Sequence, residues 1–114
     1  MKKLLLIACC TFSVGAWADC KNPQDAYEIQ TCMAENTADL KSELNKVYSK
    51  VYKRTQAKNE LNNAQKAWLK YRDLQCGTFT AIDTEHSPAS TALDLDCQST
   101  LNLQRIDFLK TLLD

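Results

Sequence analysis

Apolar residues recur at helical spacing in three separate stretches of the chain. In the first stretch they lie three, four or seven positions apart, except for one adjacent pair, which is the spacing of a helix that buries one face. Its members are Ile29, Met33, Leu40, Leu44, Val47, Tyr48 and Val51. A second stripe comprises Leu61, Trp68 and Phe79, and a third comprises Leu101, Phe108, Leu109 and Leu112. The pattern predicts three amphipathic helices.

Proline and glycine indicate where these helices begin. Asn22 before Pro23 and Ser87 before Pro88 each have the order of an N-cap followed by a first helical residue. After residue 18 the chain contains a single glycine, Gly77, and this scarcity of turn residues argues against a fold of many strands.

Two connections are expected between the three helices. A single helix through residues 55–59 would span roughly 50 residues and leave its apolar stripe in water, so we place a fold-back there. The second connection, residues 77–87, is longer and mostly polar. The chain is therefore predicted to be all-α, a small three-helix bundle with up-down-up topology.

The first 18 residues have the pattern of a signal peptide. Lys2 and Lys3 precede an apolar run that is too short to span a bilayer, and Ala16-Trp17-Ala18 matches the signal peptidase pattern. We expect cleavage after Ala18, which leaves one domain, residues 19–114, in the periplasm or secreted. As an alternative, the segment ending at Cys9 resembles a lipoprotein processing box, although its apolar region would be shorter than the usual ~7–15 residues.

Four cysteines follow the predicted cleavage site: Cys20, Cys32, Cys76 and Cys97. An even number in a short exported chain favours two disulfides, whereas a zinc site would need closely spaced pairs such as C-x-x-C. If the second and third helices run antiparallel about residues 85–87, Cys76 and Cys97 lie nearly opposite each other, within the ~7 Å that a disulfide allows between Cα atoms. Cys20 is then left to pair with Cys32.

Polar residues share the inward face of the second helix with apolar ones. Steps of three or four join Leu61, Gln65, Trp68, Arg72, Cys76 and Phe79. Arg105 likewise lies within the apolar arc of the third helix. An unpaired buried charge is costly, so each arginine needs an acceptor. In a structural interpretation the acceptors are helix-end carbonyls or a carboxylate such as Asp39 or Asp73. In a functional interpretation the two arginines hold an anionic ligand. Both interpretations stay open, with Trp68, Tyr71 and Tyr48 expected in the core.

The motif Q-x-x-W-x-x-Y-R-D-x-x-C, residues 65–76, resembles the lysozyme-inhibitor LprI N-terminal-like domain family. The resemblance extends over nearly all of residues 19–114, through Leu44, Asn45 and Tyr48 before the motif and Cys97, Arg105 and Leu109 after it. It implies a small exported helical domain whose core motif is Gln65, Trp68, Tyr71, Arg72, Asp73 and Arg105. It also implies binding and inhibition of lysozyme or a similar enzyme that cleaves cell walls, as the namesake member binds and inhibits lysozyme. Relatives often have a glycine-rich turn after the third cysteine, where this chain has "GTFTAIDTEHSPAS".

The charges are unevenly distributed, although the whole chain has a net charge of zero. Residues 41–72 contain nine Lys or Arg and two Glu, whereas residues 73–104 contain five acids and no Lys or Arg. The predicted topology therefore gives a basic tip (Lys46, Lys50, Lys53, Arg54 and Lys58) and an acidic end. The candidate partner-binding residues at the acidic end are Asp83, Glu85, Asp94 and Asp96, for a cationic protein such as a lysozyme. Alternatively, charges solvate the helices, or the basic tip contacts membrane or peptidoglycan.

Catalytic and cofactor-binding patterns are not found. The sole histidine, His86, lies in a polar loop that offers little orientation for a catalytic imidazole. There is no glycine-rich phosphate loop and no H-E-x-x-H. We therefore expect a binding protein rather than an enzyme, with no cofactor, no metal and no nucleic-acid partner.

Overall fold

The computed structural model describes Cys20 and residues 25–114, and it confirms the all-α class. Helix α1 spans Ala26–Arg54, α2 spans Lys58–Arg72, α3 spans Phe79–Asp83 and α4 spans Ser90–Thr111. A π-helical segment, Asp73–Thr78, joins α2 to α3 without a break. The described part of the chain thus forms three helical rods and no strand. Helix α1 is the first rod, α2 with the π-helical segment and α3 is the second, and α4 is the third.

Helix α1 begins later than the proline position suggests. Asp25 is its N-cap, and the Glu28 N–H donates to the Asp25 carboxylate at 2.9 Å. The predicted cap at Asn22 and Pro23 is therefore wrong, and those two residues lie outside the described part of the chain. At its other end α1 stops at Arg54, where the extended backbone of Thr55 ends the helix, so the predicted fold-back is confirmed.

The second connection is shorter than expected, because residues 77–83 are helical. It consists of residues 84–89 and leads into α4 at Ser90. Ser87 does not cap this helix with its side chain; instead its carbonyl accepts a hydrogen bond from the Ser90 N–H at 3.0 Å. The predicted Ser87-Pro88 cap is thus wrong, since Pro88 lies in a turn before the helix.

Hydrogen bonds between the rods establish the predicted up-down-up order. The Thr37 and Ser99 hydroxyls lie 2.9 Å apart, and Arg54 donates to the Leu113 carbonyl at 2.7 Å, so α1 and α4 run parallel. Helix α2 runs antiparallel to both and packs on them through long side chains. The buried cluster consists of Leu44, Val47, Val51, Ile106 and Leu109, with Leu61 and Trp68 packed against it.

Both predicted disulfides are present. Cys76 and Cys97 join the π-helical segment to α4 with Cα atoms 5.4 Å apart. Cys20 and Cys32 join the N-terminal segment to α1 with Cα atoms 5.6 Å apart. The Cys76–Cys97 bridge holds the second and third rods together, at the end of the bundle where the chain turns between these two rods.

Two predicted apolar faces differ from the faces that the structure buries. Phe79 is 54% exposed, and the neighbouring Thr80 is buried instead. The cause is a hydrogen bond that spans five residues in the π-helical segment and rotates the helix that follows. In α4, Phe108 and Leu112 are exposed. The buried face of α4 is formed by Ser99, Asn102, Ile106 and Leu109.

Candidate functional site

Arg72 lies buried between α2 and α4. Its Nη1 donates to the Asn102 Oδ1 at 3.2 Å, while Nε and Nη2 each lie 3.3 Å from the Asp73 carboxylate. The guanidinium also stacks 5.4 Å from the centroid of the Trp68 ring. Of the two predicted acceptors, Asp73 is therefore the one used, and Asp39 is exposed on α1.

Arg105 contacts the same tryptophan from α4. Its Nε donates to the Gln65 Oε1 at 2.9 Å, and its guanidinium lies 5.8 Å from the Trp68 ring. Burial lowers the pKa of Arg105 below its ordinary value, and interaction with Tyr48 partly opposes that shift. Each arginine thus makes contacts that join α2 to α4, which favours the structural interpretation of this cluster.

The other members of the predicted core motif divide between core and surface. Gln65 is buried and Trp68 is half-buried, as expected. Tyr71 is 50% exposed, so its expected place in the core is wrong, since it lies beside rather than on the inward face of α2. The Asp73 side chain is also exposed, and it contributes to the motif through its ion pair with Arg72.

The acidic end contains a tight turn between α3 and α4. Glu85 and His86 have φ angles of 53° and 58°, a left-handed conformation that is uncommon for residues other than glycine. The turn is held by the His86 N–H, which donates to the Ala81 carbonyl at 2.8 Å, and by the Thr84 hydroxyl, which bonds Ser90 at 3.0 Å. Asp83, Glu85 and His86 are exposed on this turn.

The four predicted acidic residues differ in exposure. Asp83 and Glu85 are exposed at the turn, whereas Asp94 and Asp96 are half-buried on α4. Asp94 accepts a hydrogen bond from the Gln98 side chain at 2.9 Å. Residues two positions apart on a helix project to different sides, so Asp94 and Asp96 lie on different sides of α4.

An exposed apolar face on the second rod escaped the sequence analysis. It consists of Tyr71, Leu74, Phe79 and Ile82, and is called the outer face below. Regular helical spacing would set Leu74 and Phe79 about 140° apart, at opposite edges of this set, whereas the π-helical segment brings them closer together. No signal in the sequence marks that segment.

A polar and basic groove runs along the outside of α1. It is lined by Ser42, Asn45, Lys46, Ser49, Lys50 and Lys53, whose spacing of three and four places them on one side of the helix. Among the residues that the structure describes, no cluster of His, Cys, Asp and Glu could hold a metal ion. The groove is thus basic and open to solvent.

Comparison with known proteins assigns the chain to a family. A family model described as lysozyme inhibitor LprI matches residues 18–109. The chain belongs to this family. It is also 26% identical over 129 aligned residues to an uncharacterized protein of Rhizobium meliloti (strain 1021), an alignment that covers 97% of this chain and 92% of that protein. No solved structure matches the chain.

The LprI family is described as one of lysozyme inhibitors, which implies a protein partner such as a lysozyme. The family and the two disulfides are consistent with a location outside the cytoplasm, where disulfides persist. Within residues 25–114, none of the helices has the length and apolar character needed to cross a membrane.

Proposed function

We propose that this LprI-family protein is exported and inhibits a lysozyme or a similar enzyme that cleaves cell walls. Its membership of a family of lysozyme inhibitors, over residues 18–109, is the observation that carries the proposal. The protein acts by binding, as one domain of residues 19–114 that signal peptidase releases after Ala18. It requires no cofactor and no metal, and it performs no catalysis.

The acidic end steers the partner. Animal-type lysozymes are strongly cationic, and opposite charge raises the rate at which two proteins meet. Residues 73–104 contain no Lys or Arg, so nothing within that segment opposes the acids. Asp83 and Glu85 lie exposed on a hydrogen-bonded turn and make the first contact, while Asp94 and Asp96 add to the negative potential from α4.

A second function is favoured by the groove on α1. Lys46, Lys50 and Lys53 lie about one turn apart beside small polar side chains, an arrangement suited to a chain of anionic groups. Under this alternative the protein is an envelope-associated module that contacts anionic lipid headgroups or peptidoglycan and does not inhibit lysozyme.

Association kinetics with a c-type lysozyme distinguish these functions. For the oxidised protein we expect an association rate that falls as ionic strength rises, because salt screens the steering charges. Asp83→Asn/Glu85→Gln should lower that rate several-fold, whereas the matched pair Lys50→Gln/Lys53→Gln should not lower it. Absence of binding, together with retention on anionic vesicles or peptidoglycan that the lysine pair abolishes, would favour the envelope module.

A further inference from the structure

The outer face exposes more apolar surface than the bundle requires. Tyr71, Leu74, Phe79 and Ile82 are 50%, 51%, 54% and 66% exposed, although the same rod buries Cys76 and Thr80 on its opposite side. A single exposed apolar side chain is ordinary on a protein surface. Several that are contiguous mark an interaction site on a monomeric protein.

The π-helical segment brings these four residues onto one side. In an α-helix a five-residue step rotates a side chain by about 140° around the axis, which would separate Leu74 from Phe79. Here the Phe79 N–H donates to the Leu74 carbonyl, so five residues make about one turn. Tyr71 and Leu74, and likewise Phe79 and Ile82, are three apart, so the four residues form a continuous stripe.

The charges at the C-terminal end of the outer face are acidic. Asp83 lies four residues after Phe79, and therefore beside the stripe, and Glu85 follows on the turn. Asp73 projects away from the stripe and is ion-paired with Arg72. At the opposite end of the stripe the exposed Lys70 lies one turn before Leu74. An apolar stripe with acids at the turn is complementary to a cationic protein that presents apolar side chains.

We propose that the outer face is the docking surface for the cationic enzyme, with Leu74 and Ile82 buried on binding and Asp83 and Glu85 at the rim. This inference rests on the proposed function and adds the place of contact. It assigns steering to the acids, because charges at the rim alter the association rate. It assigns stabilisation of the complex to the apolar stripe, because buried apolar contacts dominate the dissociation rate.

Two matched double variants test the docking surface. Leu74→Gln/Ile82→Gln removes apolar character from the outer face, and Phe108→Gln/Leu112→Gln does the same for two comparably exposed residues near the end of α4. All four positions are exposed, although the Phe108 ring also lies 5.7 Å from the Arg105 guanidinium. Circular dichroism and thermal melting are therefore measured on both variants first, and we expect both to remain folded. Binding to a c-type lysozyme is measured by titration calorimetry on the full oxidised protein.

We expect Leu74→Gln/Ile82→Gln to weaken lysozyme binding by about tenfold or more, and the control pair to change it by no more than about twofold. Equal binding by the outer-face variant and the unmodified protein would overturn the docking surface and leave inhibition standing. No binding by the unmodified protein would overturn both proposals. Sedimentation that shows a dimer of the protein alone, dissociated by the outer-face variant, would assign the surface to a second copy and also overturn the inference.

Discussion

The Arg72 guanidinium donates from Nη1 to the Asn102 side-chain oxygen at 3.2 Å, which joins α2 to α4 inside the bundle. Asn102 is fully buried, and its Nδ2 has no hydrogen-bond partner among the described residues. Its side chain therefore depends on Arg72 for the one hydrogen bond that its oxygen makes. This pair explains why Arg72 occupies an inward helical face in this chain.

We expect Arg72→Met to lower the free energy of unfolding by about 2–3 kcal/mol. The change removes a charged hydrogen bond and leaves the buried Asn102 oxygen without a donor. Arg105→Met is the matched control and should cost about 1 kcal/mol, because Arg105 is half-buried and its partner Gln65 is less completely buried than Asn102. Urea denaturation of the oxidised proteins measures both values. A larger loss for Arg105→Met would contradict this account of the cluster.

Replacement of Gly77 should stabilise the protein. A Cβ atom built at this position meets nothing within 4 Å, and the residue lies inside a helical segment where glycine is unfavourable. We expect Gly77→Ala to raise the free energy of unfolding by about 0.5–1 kcal/mol, with lysozyme binding unchanged. Thermal melting followed by circular dichroism provides the test. A lower melting temperature would mean that the π-helical segment needs glycine for its backbone.

The two disulfides should differ in their effect on stability. Removal of the Cys76–Cys97 bridge by paired alanine substitutions is expected to cost about 3 kcal/mol, since it closes a loop across two packed rods. Removal of Cys20–Cys32 should cost less, because it frees the start of α1, which can fray without opening the core. Chemical denaturation of the two double variants compares them directly. Equal losses would indicate that α1 unfolds only together with the core.

Expression of the full chain in a bacterium with its export machinery should yield a processed product. We expect an intact mass that corresponds to residues 19–114 with all four remaining cysteines oxidised, and no labelling by a thiol reagent before reduction. Mass spectrometry decides between this outcome and the lipoprotein alternative. A product that begins at Cys9 and carries a lipid would contradict the proposed cleavage after Ala18.

The sequence pattern predicted the three helices, their order and both disulfides, because helical periodicity and the spacing of Cys76 and Cys97 are direct consequences of bundle geometry. In α4 it placed Leu109 correctly in the core, but it also placed Phe108 and Leu112 there, and both are exposed. Ser99 and Asn102 are buried there because they bond Thr37 and Arg72 across the bundle. Such long-range polar pairing cannot be read from hydropathy along one helix.

The outer face could not be predicted for a different reason. Extending a period of 3.6 residues through Cys76 to Phe79 assumes an uninterrupted α-helix, whereas the π-helical segment alters the rotation between those residues. The acidic residues lie close together along the chain, within residues 73–104. Their separation into exposed Asp83 and Glu85 and half-buried Asp94 and Asp96 depends on the turn and on α4 packing.

Lysis of bacterial cell walls by a c-type lysozyme, followed by turbidity, tests the central claim most directly. The oxidised protein is added at increasing molar ratio, and Asp83→Asn/Glu85→Gln serves as the matched variant. We predict that the lysis rate falls towards zero once the inhibitor exceeds the enzyme, and that the variant requires a higher concentration for the same protection. An unchanged lysis rate at large molar excess of the unmodified protein would contradict the account and leave the LprI family relationship as evidence of fold alone.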